Sequence, residues 1–411
     1  MVEQRQAPDF LFENVGSHGD IMPLIGIADQ LVQRGYRCQL LANEHFRGEA
    51  TARGIGFFAH TPDRTHGEPQ GSAVAYFYRR ADRIQEYLAQ PGAFNARTVM
   101  VHTNAFGGSE PVAEARRMRT VELILFPFRI RSTISPAWPI GARACGPDRE
   151  QFLKVTLPAM YRAADRHPTV LAKINSVRAS LGLPAVDNAR YARPHVVAQA
   201  AMFPDWYGMP AADWPALECL GFPLPASGKP LPVPVQEFLQ RCPRPLVFTT
   251  GTGFGTPEIF FAAAAACCAE LDAPGIFLSA FLSAEQRQRG DRIACFDHVE
   301  LEQLLPHAAA IVHHGGLGTT ARALQAGIPQ VISPLGFDQP DNGHRVELLG
   351  AGRVVPRDRM SGAAFAAALR EQLAEPQQPL KLARYRAALQ SSRAVERAAD
   401  LLEQVARDTL N

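Results

Sequence analysis

Ala310–Val355 reads AIVHHGGLGTTARALQAGIPQVISPLGFDQPDNGHRVELLGAGRVV, and this stretch decides the fold of the second half of the chain. The apolar run at 309–312 has the length and continuous hydrophobicity of a buried parallel strand. Three glycines follow within four positions, and a helical pattern then runs to Gly327 and Pro329, which end it. A second apolar run at 330–333 completes the pattern. This order predicts a β-α-β unit of a parallel sheet.

The junction between the first strand and the helix has the chemistry of an anion-binding site. Glycines let the backbone approach a ligand, and the unpaired N–H groups of a helix start face it together with the positive end of the helix dipole. His314 adds a donor that can be neutral or charged. The glycine spacing fits neither the dinucleotide fingerprint nor the phosphate loop with its lysine. The residues favour a diphosphate, with Asp338 and Gln339, one β-α unit later, suited to the hydroxyls of a sugar.

Length and composition predict two globular domains. A chain of 411 residues exceeds what one hydrophobic core usually supports, and 46% hydrophobic with 20% charged residues is typical of globular proteins. The net charge of +2, without a long basic run, gives no support to nucleic-acid binding. Seven cysteines without a C-x-x-C pair favour reduced thiols in a cytoplasm. We see no signal peptide or membrane-spanning run, and therefore expect a cytoplasmic protein, with peripheral membrane contact left open.

The N-terminal half opens with a β-α-β-α-β pattern. Strand candidates lie at 9–15, 38–42 and 55–59, and the first helical pattern ends at Gly35. Such an order predicts a parallel, doubly wound sheet that binds ligands at the carboxyl ends of its strands.

Less regular segments interrupt this pattern. Residues 60–95 have a less regular pattern, residues 129–146 indicate a long loop, and residues 150–181 are predicted to be helical and amphipathic. Five prolines between residues 222 and 234 then indicate an exposed linker, after which a second α/β pattern begins. We therefore assign residues 1–222 to an N-terminal domain, 223–235 to the linker, 236–390 to a C-terminal domain and 391–411 to a final helix.

The motifs HHGGLGTT, AGIPQV and DQPDN, together with GSHGDIMP near the N-terminus, resemble the signature of family 1 glycosyltransferases. The similarity is greatest to the bacterial branch that glycosylates natural products and lipids. It implies an α/β fold of the GT-B type, with two Rossmann-like doubly wound domains facing a cleft. The N-terminal domain would then bind the acceptor and the C-terminal domain the nucleotide sugar. The resemblance also implies that the last helix packs back on the N-terminal domain.

The GSHGDIMP loop places Asp20 at the position of the catalytic base in the resembled family. A carboxylate in this glycine-flanked loop, ahead of Pro23, can take the proton of an acceptor hydroxyl as its oxygen attacks. The alternative is a helix N-cap, since aspartate is common near helix starts. His18 either assists or lines the loop. Asn104 stands where family members with a histidine base carry an aspartate. A second carboxylate would raise the pKa of an aspartate base, so the neutral amide of Asn104 is consistent with Asp20 as the base.

The resemblance also implies donor and acceptor residues. His314 matches the diphosphate-binding histidine, with helix capping as the alternative, and Asp338 matches part of the sugar-contacting pair, with a simple turn as the alternative. The tryptophan of the plant enzymes is absent, which leaves the nucleobase open. The donor-binding candidates are Thr250, Gly251, Thr252, Val299, His314, Gly315, Gly316, Gly318, Thr319, Asp338 and Gln339, and the acceptor-binding candidates are His102, Asn104, Phe106, Phe128 and Trp138.

These observations predict an inverting, metal-independent glycosyltransferase that uses a UDP- or dTDP-sugar as co-substrate and has no resident cofactor. Aromatic residues and the low charge of residues 98–140 predict a hydrophobic acceptor, such as a polyketide, macrolide, phenolic or lipid hydroxyl. The alternatives are a GT-B nucleotide-sugar epimerase and a non-catalytic protein that binds sugar nucleotides or lipids. We expect a monomer or homodimer that binds no nucleic acid.

Overall fold

The chain forms two compact units in the computed structural model. Residues 1–223 and 393–411 form the N-terminal unit, and residues 224–392 form the C-terminal unit. No helix in the described part of the chain is long and apolar enough to cross a membrane. The structure describes residues 6–61, 73–103, 109–138, 148–190, 193, 195–252, 258–287 and 290–408, with the backbone only for 60, 61 and 73–80.

The N-terminal unit is built on a parallel sheet with the strand order β3-β2-β1-β4-β5-β6-β7 among the described residues. The order reverses between β1 and β4, and ligands bind doubly wound sheets at such a switch point. The strands are β1 Phe10–Glu13, β2 Cys38–Asn43, β3 Gly56–Thr61, β4 Val99–His102, β5 Arg119–Ile124, β6 Val196–Ala201 and β7 Glu218–Cys219. The helices are His18–Gln33, Arg47–Thr51, Ala73–Leu88, Ser109–Ala115, Arg149–Gln151, Leu157–Asp165, Pro168–Ser180, Asp205–Gly208 and Ala394–Arg407, with 3-10 turns at Glu44–Phe46 and Pro127–Arg129 and a π-helical turn at Phe152–Thr156.

The core of the N-terminal unit includes the last helix of the chain. Phe10 and Phe12 of β1 are fully buried because helices cover both faces of a parallel sheet. They share one hydrophobic cluster with Leu402 of the helix Ala394–Arg407. At the rim of this contact, Arg34 pairs with Asp400 at 2.7 Å and with Glu403 at 2.9 Å. The N-terminal unit is therefore completed by a segment from the far end of the chain.

The C-terminal unit repeats this architecture with the strand order β10-β9-β8-β11-β12-β13, and all its strand pairs are parallel. Its order reverses between β8 and β11. The strands are β8 Leu246–Thr249, β9 Gly275–Leu278, β10 Ile293–Phe296, β11 Ala310–His313, β12 Gln330–Ile332 and β13 Gly352–Val354. The helices are Val233–Arg241, Glu258–Glu270, Ala284–Arg287, Leu301–Leu304, Leu317–Ala326, Gln339–Leu348, Gly362–Ala374 and Gln378–Gln390, with 3-10 turns at Leu305–His307 and Arg357–Arg359.

Two sequence-based predictions are wrong in detail. The segment 60–95 contains the regular helix Ala73–Leu88. The segment 150–181, expected to be helical, is interrupted at His167, whose ψ of 121° is extended. The break has a simple cause, because the ring of Pro168 disfavours the helical conformation for the residue before it.

Candidate active site

Three neighbouring strands of the C-terminal sheet end at the same level. In the register of the sheet, the last residue of β11 lies beside the last residues of β8 and β12. The next residue is Thr250 after β8, His314 after β11 and Ser333 after β12. Thr250 and Ser333 are fully buried and His314 is 9% exposed. Within the described part of the chain, Thr250 Oγ1, His314 Nδ1 and Ser333 Oγ have no hydrogen-bond partner. Buried polar atoms normally find partners, so this row indicates a functional edge of the sheet.

The imidazole of His314 occupies a slot between two glycines. A Cβ atom added at Gly251 would lie 2.4 Å from His314 Cε1, and one added at Gly316 would lie 2.4 Å from His314 Nε2. Both distances are far below a real carbon contact, so only glycine at these positions leaves room for the ring. Gly251 also has a φ of +74°, a left-handed conformation that glycine adopts without strain.

His313 supports the glycine turn from the other side. Its Nδ1 accepts a hydrogen bond from the Gly315 N–H at 3.1 Å. The proton of the ring therefore lies on Nε2, which donates to Gln330 Oε1 at 2.9 Å. Complete burial lowers the pKa of His313 to about 4, so the ring is neutral. This side chain ties the turn after β11 to the neighbouring strand β12.

His314 is neutral as well. Burial lowers the pKa of its imidazole to about 3, and the nearby His313 acts in the same direction. The carbonyl of Thr249 opposes this shift without outweighing it. A neutral imidazole offers one N–H donor and carries no charge until an anion binds. A bound diphosphate would favour the protonated form and raise this pKa.

The helix that follows supplies further donors. Leu317–Ala326 starts at the N-cap Gly316, and no described side chain caps it. The N–H groups of Leu317, Gly318 and Thr319 in its first turn have no intrahelical acceptor. Together with the helix dipole they favour an anion. The Thr319 hydroxyl lies half-buried in the same turn.

The loop after β12 is fastened to the glycine turn. Asn342 Nδ2 donates to Gly315 O at 2.9 Å and to Asp338 Oδ2 at 2.7 Å. Gln339 Oε1 accepts two backbone N–H groups of the loop, at 2.7 and 3.1 Å. The structure thus places Asp338 and Gln339 beside the glycine turn. Because the oxygen of Gln339 shapes the loop, its Nε2 is the atom suited to contact a sugar.

The remaining donor candidates, Thr252 and Val299, lie at the same edge of the sheet and differ in the exposure of their side chains. Thr252 is exposed, at the end of a described segment. The side chain of Val299 is 3% exposed and belongs to a hydrophobic cluster of this unit. Only the main chain of Val299 is therefore suited to contact a nucleobase. Ser333, at the end of β12, is a polar residue that the sequence analysis missed, although its position directly after a strand was a signal.

Asp20 lies in the first turn of the helix His18–Gln33, whereas the sequence analysis expected it in a loop before the helix. Its Oδ2 accepts from the Ser17 N–H at 2.8 Å and from the Ser17 hydroxyl at 3.1 Å. The carboxylate therefore stabilises the helix start, although the N-cap residue is Ser17 and Asp20 is the third residue of the helix. A Cβ atom at Gly16 would lie 2.3 Å from Asp20 Oδ2, so glycine is required there. A role as base would rest on the other oxygen of the carboxylate.

Two buried amides that the sequence analysis missed hold this turn. Asn14 Nδ2 donates to the carbonyl of Asp20 at 3.0 Å, and Asn43 Nδ2 donates to the carbonyl of Gly16 at 3.1 Å. Both asparagines lie at the carboxyl ends of their strands, and this position was the available signal. The ring of His18 packs edge-on against His45, with centroids 5.0 Å apart.

His102 lies at the end of β4 and is fully buried. Its register neighbours are Glu13 on β1 and Glu122 on β5. Glu122 also pairs with Arg193 at 3.2 Å and with Arg129 at 3.6 Å. His102 therefore belongs to a buried cluster of charged residues at the carboxyl edge of the N-terminal sheet.

The other acceptor candidates follow β4 and β5. Asn104 and Phe106 lie outside the described residues. Phe128 is 37% exposed and Trp138 is half-buried, on a segment that follows β5. Asp213 holds this segment, because its carboxylate accepts the hydroxyl of Ser132 at 2.7 Å and two backbone N–H groups of the next residues at 2.6 and 3.3 Å. Burial acts to raise the pKa of the Asp213 carboxyl, but the hydrogen bonds from these residues together outweigh it and lower the pKa.

Comparisons with known proteins show which proteins this chain is similar to. Residues 269–399 match the family model described as erythromycin biosynthesis protein CIII-like, C-terminal domain. The chain is similar to O-mycaminosyltylonolide 6-deoxyallosyltransferase of Streptomyces fradiae, with 26% identity over 95% of this chain and 96% of that relative. These matches support a bacterial natural-product family 1 glycosyltransferase, and the chain is a hexosyltransferase.

Solved structures confirm the fold of this glycosyltransferase. The calicheamicin glycosyltransferase CalG4 is similar with a TM-score of 0.71 and 18% identity, over 99% of this chain and 100% of that chain. The glycosyltransferase VinC, in complex with dTDP, is similar with a TM-score of 0.62 and 20% identity, over 97% and 99% of the two chains. The expected GT-B fold is therefore confirmed. Among the described residues of this glycosyltransferase, no group of three or more His, Cys, Asp and Glu side chains could hold a metal ion.

Gly251→Ala should weaken nucleoside diphosphate binding by the glycosyltransferase. The added methyl group displaces the His314 ring, so we expect the Kd for UDP or dTDP, measured by calorimetry, to rise about tenfold or more. The matched control is Gly290→Ala, because Gly290 has the same φ of +74° and an added Cβ there meets no atom within 4 Å. Equal Kd values in the two variants would contradict the role of the slot.

The two buried histidines should make the C-terminal unit less stable in acid. The pKa values of His313 and His314 in the folded chain, about 4 and about 3, lie below the ordinary value of 6.5. As pH falls below 6.5, the unfolded chain therefore binds more protons than the folded chain. The free energy of unfolding should therefore fall as pH decreases from 6.5 to 5. In His314→Gln this fall should be smaller by about 1–2 kcal/mol in urea titrations at the two pH values. An identical pH dependence in the variant would refute a buried neutral His314.

Proposed function

We propose that this enzyme transfers a sugar, with inversion, from a UDP- or dTDP-sugar to a hydroxyl of a hydrophobic small molecule. The observation that carries the proposal is the edge of the C-terminal sheet. There a buried neutral imidazole, an uncapped helix start and a carboxylate-amide pair lie around one glycine turn. The dTDP complex of the similar VinC supports a nucleotide-linked donor.

The C-terminal unit would bind the donor through its diphosphate and its sugar. The N–H groups of Leu317, Gly318 and Thr319 and the N–H of His314 are preorganised donors for phosphate oxygens. Negative charge grows on the diphosphate as the glycosidic bond breaks, and these donors stabilise it without reorganisation. Asp338 and Gln339 would bind the sugar hydroxyls. The protein donors alone would meet the charge of the diphosphate, so the reaction would need no metal ion.

The N-terminal unit would supply the base and the acceptor site. The Asp20 carboxylate takes the proton of the acceptor hydroxyl as the acceptor oxygen attacks the anomeric carbon. The new carbon–oxygen bond forms on the face opposite the nucleoside diphosphate, which leaves with the electron pair of the broken bond. Exposed apolar side chains after β5, including Phe128 and Ile134, support a hydrophobic acceptor. The name of the Streptomyces fradiae relative, which contains tylonolide, favours the same acceptor class.

A panel assay tests the proposed function. The chain is incubated with UDP- and dTDP-sugars, with and without aromatic or macrolide acceptors, and free nucleoside diphosphate and product mass are followed. We expect release that depends on the acceptor, a product heavier by one sugar, an inverted anomeric centre by NMR, and no effect of EDTA. Isomerisation of a donor without any acceptor would indicate an epimerase instead, and binding without turnover a non-catalytic protein. Higher kcat/KM on free hexoses or peptides than on every apolar aglycone would overturn the acceptor class.

Asp20→Asn should keep the fold and donor binding but lose turnover. The asparagine oxygen still accepts the Ser17 N–H, whereas a neutral amide cannot take the acceptor proton. We expect kcat to fall about a hundred- to ten-thousand-fold with little change in the Kd of the donor.

Ser17→Ala is the matched control, because it removes the hydroxyl that donates to Asp20 Oδ2 and leaves the carboxylate in place. Its turnover should stay within a few-fold of the wild type. Near-normal turnover in Asp20→Asn, or an equal loss in Ser17→Ala, would show that Asp20 acts only in the helix cap.

A further inference from the structure

Phe337 combines backbone strain with an exposed aromatic ring at the candidate donor site. Its φ is +55°, a left-handed conformation that is unfavourable for a bulky side chain. Its ring is 72% exposed. Gly336, directly before it, would adopt such a conformation without strain, yet the strain falls on the phenylalanine. Such conformations persist where the surrounding structure enforces them, and they cluster at functional sites.

The surrounding hydrogen bonds do enforce this conformation. Before Phe337, the N–H groups of Leu335 and Gly336 are both fixed by Gln339 Oε1. After it, Asp338 Oδ2 accepts from Asn342, whose Nδ2 also donates to Gly315 O in the glycine turn. The loop is therefore fastened on both sides of Phe337. Of the described non-glycine residues with positive φ, only Phe337 lies in a loop of the candidate site.

We propose that Phe337 is a specificity-determining residue whose ring stacks on the apolar C–H face of the donor sugar. This inference rests on the proposed function, because Asp338 and Gln339 would bind the hydroxyls of that sugar. A pyranose presents hydroxyls at its edge and C–H groups on its faces. A carboxylate-amide pair next to an exposed aromatic ring matches both parts. Sugars that lack hydroxyls, such as 6-deoxyhexoses, expose more C–H surface and gain more from the ring.

Three variants of Phe337 distinguish the effect of its aromatic ring from the effect of its backbone strain. Phe337→Gly removes both, Phe337→Ala removes the ring and keeps the strain, and Phe337→Trp keeps both. Leu348→Ala is the control, since Leu348 is 59% exposed at the far end of the helix Gln339–Leu348. For each variant we would measure by calorimetry the ratio of the Kd of the free nucleoside diphosphate to that of its sugar conjugate. The probes are UDP with UDP-glucose, and dTDP with dTDP-glucose and dTDP-rhamnose.

We expect Phe337→Gly and Phe337→Ala to lower this ratio roughly fivefold to tenfold, most for dTDP-rhamnose, with unchanged affinity for UDP and dTDP. Phe337→Trp and Leu348→Ala should keep the wild-type ratio. Phe337→Gly should also raise the melting temperature by on the order of 2–4 °C, because it relieves the strain.

An unchanged ratio in Phe337→Gly would overturn the inference, as would a lower melting temperature, which would make the ring a structural support. A change only in the KM of the acceptor would also overturn the inference, because it would show that the Phe337 ring contacts the acceptor and not the donor sugar. A wild type that bound none of these nucleotide sugars would refute the proposed function itself. The two failures are therefore distinguishable.

Discussion

The hydrogen bond from the Gly315 N–H to His313 Nδ1 is the interaction on which the candidate donor site depends. It fixes the tautomer of His313, so that Nε2 donates to Gln330 and joins β11 to β12. With the turn held in this way, the next helix starts with its N–H groups directed out of the sheet edge. The Gly315 carbonyl is then placed to accept from Asn342, which carries the loop of Asp338. A buried neutral imidazole thus organises phosphate and sugar candidates together.

Under the proposed function, the Asp20 carboxylate would serve two demands that the sequence analysis treated as alternatives. One oxygen stabilises the start of the helix His18–Gln33 through Ser17, and proton transfer would use the other. Holding a base by a helix cap fixes its orientation through backbone geometry. Gly16 is part of this arrangement, because any side chain there would occupy the space of the carboxylate. The glycine in this loop therefore follows from the aspartate.

Sequence reasoning recovered the parts of this protein that depend on local patterns. The apolar runs and the glycine turn predicted the β-α-β unit around His314, and both halves were recognised as doubly wound. Features set by tertiary contacts were not recovered. No local signal shows that Gly251, from the end of another strand, leaves room for the ring of His314. The roles of Ser333 and Asn43 likewise depend on the register of separate strands. The break at His167 was available from Pro168, but the amphipathic pattern on both sides concealed it.

The return of the helix Ala394–Arg407 to the first sheet has a consequence for the order in which the chain folds during synthesis. The C-terminal unit is continuous, so its core can close once residue 392 has left the ribosome. Most of the N-terminal unit is synthesised before the C-terminal unit, yet its core lacks Leu402 and Ala398 until those residues have also left the ribosome. Phe10 and Phe12 must wait for partners nearly four hundred residues later. Domains usually fold in the order of their synthesis. In this enzyme the unit that is made first is finished last.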